Sequence, residues 1–179
     1  FFFDESSAKE LSESTRAHRE EGVLSGEIDL STSTMSRLDS LNIGLRGNVS
    51  SLNAQIQAER NKLNKPTTNT FTTAQNQYNN YNNQINATQR NLANAKNAID
   101  SAIYTSEITR LKDLRRPHWR TMENEKKAWN DKINKRIKEL EGERSIAEGQ
   151  IAQNTTDYVR ESERLAHNRD TRDSLATER

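Results

Sequence analysis

Apolar residues recur at alternating steps of three and four over three long stretches, and this spacing constrains the fold more than anything else in the chain. The first stretch runs Leu24, Ile28, Ser31, Met35, Leu38, Asn42, Leu45, Val49, Leu52, Ile56, Glu59, Leu63. The second runs Phe71, Ala74, Tyr78, Tyr81, Ile85, Thr88, Leu92, Ala95, Ile99, Ala102. The third includes Trp129, Ile133, Ile137, Leu140, Arg144, Ala147, Ile151, Asn154, Tyr158 and Leu165. Such a pattern puts one narrow stripe on each of three long helices, the signature of a coiled coil. At about 1.5 Å of rise per residue each helix is roughly 60 Å long or more.

Composition fits a seam better than a thick core. Of 179 residues, 31% are hydrophobic and 30% charged, and a seam needs only about two apolar positions in seven. Six Gly and two Pro are too few for the turns of an all-β fold. The net charge of +1 sets no global demand for nucleic acid or an anionic membrane. The absence of Cys excludes disulfides and thiolate metal sites. No apolar run reaches the ~20 residues of a membrane span. The opening Phe1-Phe2-Phe3 reads either as the cut edge of a larger protein or as a short apolar anchor.

Two proline-containing breaks separate the stripes: Asn64-Lys65-Pro66-Thr67-Thr68-Asn69 and Leu114-Arg115-Arg116-Pro117-His118. Thr72 and Gln75 fit a capping box after the first break. Helix two is expected to end by Arg116 and helix three to open on Pro117. Folding at both breaks stacks the stripes in layers such as Val49–Ile85–Ala147 and Met35–Ile99–Ile133. The expected fold is therefore all-α, a long antiparallel coiled coil in a three-helix, up-down-up bundle. The alternative is a two-helix hairpin of segments two and three plus a separate first helix. Residues 1–20 are expected to be an N-terminal extension, 21–166 the bundle and 167–179 a C-terminal helical extension. Gly44 and Gly47 mark a soft place in helix one.

Nothing in the chain has the spacing of a catalytic or metal-binding motif. His18, His118 and His167 lie far apart, no phosphate-binding glycine loop occurs, and the acids alternate with Lys and Arg as on a solvated helical face. The reading is a protein that is not an enzyme and takes no cofactor or metal. Nine Asn fall between Asn76 and Asn97, and no Asp or Glu lies between Glu59 and Asp100, which reads as a neutral, soluble face. The second break is richer: Arg110, Lys112, Arg115, Arg116, His118 and Arg120 cluster there with Asp113 as the one acid, and Trp119 and Met122 close by. Arg and Trp are enriched at binding hot spots. Arg115, Arg116, His118, Trp119, Arg120 and Met122 are thus the candidate contact residues, placed at the end of the bundle. The patch is too small and too poor in aromatics for a nucleic-acid surface.

The stretch Gln77-Tyr78-Asn79-Asn80-Tyr81 through Ala93-Asn94-Ala95-Lys96-Asn97-Ala98-Ile99, the basic turn Arg115-Arg116-Pro117-His118-Trp119 and the return helix Trp129-Asn130-Asp131-Lys132-Ile133-Asn134-Lys135-Arg136-Ile137 together resemble the central receptor-binding hairpin of colicin-type bacteriocins. The resemblance covers roughly residues 71–166 and is one of texture and architecture. It implies a secreted bacterial toxin acting extracellularly at a bacterial cell surface. Its hairpin tip would dock on an outer-membrane receptor protein of a target bacterium, with no membrane insertion by this segment; the oligomeric state is left open, a monomer being favoured. The family's tip contacts would fall on Arg115, Arg116, His118, Trp119 and Arg120. Two other readings remain open: a structural stalk or secretion-system spacer, and reversible lipid binding, which the narrow apolar faces oppose.

Overall fold

A computed structural model of the chain describes residues 5–177, with side chains described from 7 onward; the Phe1–Phe3 run lies outside the described residues. They form three α-helices, α1 (Glu5–Arg60), α2 (Asn69–Ala93) and α3 (Ala98–Thr177), with no strand among them. α1 passes without a boundary through residue 20 and through Gly44 and Gly47, where a Cβ would meet open space.

The first break falls where it was expected. α1 ends at Arg60, and Asn64 takes a left-handed φ of 63°, a conformation that Asn tolerates better than most residues. Pro66 is buried in the connection. α2 starts one turn earlier than the Thr72–Gln75 pair implied. Its N-cap is Thr68, whose hydroxyl accepts the Phe71 N–H at 3.2 Å.

The second break does not lie at Pro117, which sits inside α3. α2 ends at Ala93 with Asn94 as its C-cap, and α3 begins under Asn97. The Asn97 Oδ1 accepts the Asp100 N–H at 2.8 Å, and its Nδ2 donates to Asp100 Oδ2 at 2.9 Å. Two residues three positions apart in the chain thus bond each other across the helix start, with Asn97 capping the Asp100 N–H. Asn97→Ala is expected to cost about 1 kcal/mol, read as a lowered thermal midpoint by circular dichroism, whereas Asn97→Ser, which keeps an acceptor for the Asp100 N–H, should cost less.

The chain divides into two compact units, residues 54–141 and residues 1–53 with 142–179. In the latter, α1 and α3 run antiparallel. Glu27 meets Asn168, Asn42 meets Asn154 and Thr155, and Asn53 meets Arg144. Ile28, Leu38, Ala147 and Leu165 are buried there with Ser31, Asn42 and Asn168. Asn42 donates to Thr155 Oγ1 at 3.4 Å and accepts from Asn154 Nδ2 at 3.1 Å. Among the described residues no buried side-chain polar atom lacks a partner. A slide of one heptad in either direction would set Asn154 against Met35 or Val49, so the pairs fix the register.

In residues 54–141 the partner on α3 falls steadily as the chain advances. Arg60 meets Glu141, Lys62 meets Trp129, Thr68 meets Glu125 and Tyr78 meets Arg115. Ile85 then packs with Ile108 and Leu111, flanked by Tyr81 and Leu92. The Pro66 connection therefore carries the chain onward along α3, and the reversal is at residues 94–97. This overturns the up-down-up bundle folded at two prolines. Ile85 has Ile108 and Leu111 as its companions where Val49 and Ala147 were expected. Ile99, assigned to a core layer, is 75% exposed. The alternative with a separate first helix also fails, since α1 pairs with α3. Periodicity shows which face of a helix is covered but not which helix covers it.

Candidate contact surface on α2 and α3

Lys112, Arg115, Arg116, Trp119 and Arg120 stand at i, i+3, i+4, i+7 and i+8, which puts them on one face of α3. With Tyr78 of α2 they line a shallow groove that contains no carboxylate. This groove lies on the flank of the α2–α3 pair. The six residues placed at the end of the bundle by the sequence are therefore not at a turn, because α3 continues through them.

The structure sorts those six into two groups. Arg115, His118 and Met122 are half-buried at seam positions. The Arg115 guanidinium lies 5.3 Å from the centroid of the Tyr78 ring, and its Nη1 donates to Asn82 Oδ1 at 2.7 Å. A cation held over an aromatic face contributes roughly 0.5–1 kcal/mol at a site open to water. His118 stacks on Tyr81 with centroids 5.7 Å apart and planes at 18°. Arg115 and His118 thus hold α2 to α3. Arg116, Trp119 and Arg120 are exposed, and Trp119, at 50% exposure, is the largest apolar group in the groove.

Charge in the neighbourhood is one-sided. Arg116 forms an exposed pair with Asp113 at 3.4 Å. Glu107 is engaged by Arg110, whose Nε donates to Glu107 Oε2 at 2.9 Å. That hydrogen bond, with the guanidinium charge behind it, holds the Glu107 carboxyl below the usual carboxylate range and raises Arg110. Among the described residues neither Lys112 nor Arg120 has an ion pair. α2 carries no Asp or Glu at all, so nothing acidic faces the groove from its second helix.

Two further features were not read from the sequence. The reversal at 94–97 is followed by an exposed apolar patch of Ile99 and Ile103, with Ala98 and Ala102 alongside. The Asn97-x-x-Asp100 spacing was the available signal for that turn. The second feature is a clamp on the Pro66 connection. The Trp129 Nε1 donates to the Lys62 carbonyl at 2.7 Å. Asn130 accepts the Asn64 N–H through Oδ1 and donates to Asn64 Oδ1 through Nδ2, both at 2.9 Å. Thr68 donates to Glu125 Oε2 at 3.1 Å. The connection between α1 and α2 is thus tied at three points to side chains of α3. Trp129, the first position of the third stripe, is half-buried as that stripe implies, and its indole N–H adds this bond to the connection.

Among the described residues no group of His, Asp or Glu is placed to hold a metal ion, and no helix is long and apolar enough to cross a membrane. No protein-family model matches the chain, and no curated protein or solved structure matches it either.

Proposed function

We propose that this chain is a contact module: an antiparallel coiled coil that presents the groove around Trp119 to a partner protein, without chemistry of its own. The specific form of the proposal is the receptor-binding segment of a secreted, bacteriocin-like toxin, docking on an outer-membrane receptor of a target bacterium. The observation that carries it is the half-exposed Trp119 set among Lys112, Arg116 and Arg120 with no carboxylate in the groove. A large aromatic left in water on a helix whose seam is otherwise satisfied is a contact residue in waiting, and Trp and Arg are the side chains that dominate hot spots. Arg115 is already fixed by Tyr78 and Asn82, so this wall needs little ordering on binding. The corrected turn moves the contact from the end of the hairpin to its flank.

The test is saturable binding of the labelled chain to outer-membrane vesicles from a panel of bacteria. Trp119→Ala is expected to weaken binding by roughly tenfold or more, the scale of one hot-spot side chain, with helicity unchanged by circular dichroism. Undiminished binding by that variant overturns the assignment. Loss of binding in an Ile99→Ala/Ile103→Ala variant alone would move the contact to the reversal. A stalk or spacer is the second reading. It is favoured by the alternating buried and half-buried positions that continue along α3 as far as Leu175, and it predicts no saturable binding to any of the vesicles.

A further inference from the structure

We infer that the groove recognises a short acidic segment of a partner protein, its carboxylates held by Lys112, Arg116 and Arg120 and an apolar side chain laid against Trp119. This rests on the contact reading above and supplies its chemistry. The cations and the indole share one face of α3, so a single extended strand can meet all of them. Arg115 forms the fixed wall. Its guanidinium is positioned by Tyr78 and by one hydrogen bond to Asn82, which leaves most of its donors uncommitted. The Arg116–Asp113 pair is solvent-exposed, and such pairs are weak enough to be exchanged for a ligand carboxylate. Because α2 carries no acid, an incoming carboxylate meets no like charge from that side.

The length of the patch decides the class of anion. From Lys112 to Arg120 is about 12 Å along the helix, the reach of three or four residues of extended peptide. Position i+4 from Trp119 on the same face is Glu123, and the preceding positions on that face are Thr109 and Thr105. A nucleic-acid backbone, with a charge at every step, would run from the cations onto a carboxylate at one end and onto uncharged hydroxyls at the other. A short acidic peptide ends where the cations end.

The experiment uses the full chain and a fluorescein-labelled hexapeptide of Asp and Glu around one central Phe, read by anisotropy at low salt. Two controls are the same peptide with Asn and Gln in place of the acids, and a single-stranded oligonucleotide of equal charge. The acidic peptide is expected to bind saturably and to weaken as salt rises. It should lose roughly tenfold in affinity with Arg116→Gln/Arg120→Gln and a comparable amount with Trp119→Ala, while the amide peptide binds no better than those variants. Tighter binding of the oligonucleotide, equal binding of the amide peptide, or indifference to both variants overturns the proposal, as does no peptide binding at all. The two readings fail separately. If the peptide binds and outer-membrane vesicles do not, the receptor assignment falls and the groove chemistry stands. If Trp119→Ala abolishes vesicle binding and the peptide never binds, the contact stands and the acidic partner falls.

Discussion

Leu111→Ala is expected to destabilise residues 54–141 by about 2–5 kcal/mol, whereas Ile99→Ala changes stability by about 0.5 kcal/mol or less. Leu111 is 2% exposed and packs in one cluster with Ile85 and Ile108. Truncating it removes contacts on every side and leaves a cavity in a seam only one layer thick. The α2 helix has few other buried apolar anchors, Ala74 and Ile85 being the two, so little neighbouring core can take up the loss. Ile99, by contrast, lies almost wholly in water. Hydrogen exchange of the α2 amides measures both variants: protection should collapse in Leu111→Ala and stay at its parent level in Ile99→Ala. The opposite order would restore Ile99 to a core layer and remove the pairing of α2 with residues 98–125 of α3.

Those two residues also show what the sequence could and could not reveal. Each position of the first stripe, from Leu24 to Leu63, is buried or half-buried, the polar Ser31, Asn42 and Glu59 included. So are the third-stripe positions from Trp129 to Leu165. Burial on a helix is a local matter of period, and the period was plain. Pairing is not local. It depends on where the chain reverses, and two signals competed for that place. Pro117 disfavours helix through its missing N–H and its ring; Asn97 favours a helix start by capping the Asp100 N–H. The proline was the louder signal and the caps decided the outcome, because an early reversal lets Ile108 and Leu111 cover Ile85. The second stripe accordingly holds as far as Ala95 and fails at Ile99 and Ala102.

The contact surface was legible in the same partial way. The cluster of Arg and Trp was visible as residue types. Which of them stay available was not, because that depends on the facing helix. Tyr78, Asn82 and Tyr81 engage Arg115 and His118, and only the corrected pairing brings those three opposite the cluster. Asn130 was hidden for a different reason. A lone Asn on a helix carries no mark of the loop it will clamp, and its partner Asn64 is itself the left-handed residue of that loop, 66 positions away in sequence.

Pro117→Ala carries the sharpest test of the corrected topology, because the two placements of this residue predict different results. Inside α3 the ring of Pro117 crowds the Asp113 carbonyl and leaves it without its N–H partner, at about 3 kcal/mol relative to alanine. Loss of proline also frees the unfolded chain, which returns roughly 0.4–1 kcal/mol in the other direction. The net expectation is a gain of about 2–3 kcal/mol, seen as a raised thermal midpoint and stronger amide protection over residues 113–121. Thr121 donates its hydroxyl to the Pro117 carbonyl at 3.0 Å, an arrangement alanine preserves. Were Pro117 the first residue of a helix after a reversal, its missing N–H would have no partner to lose, and alanine there would leave stability flat or reduced. An unchanged or lowered midpoint in this variant would therefore return the turn to residues 114–118. It would also undo the pairing of Ile85 with Ile108 and Leu111, on which the placement of the groove rests.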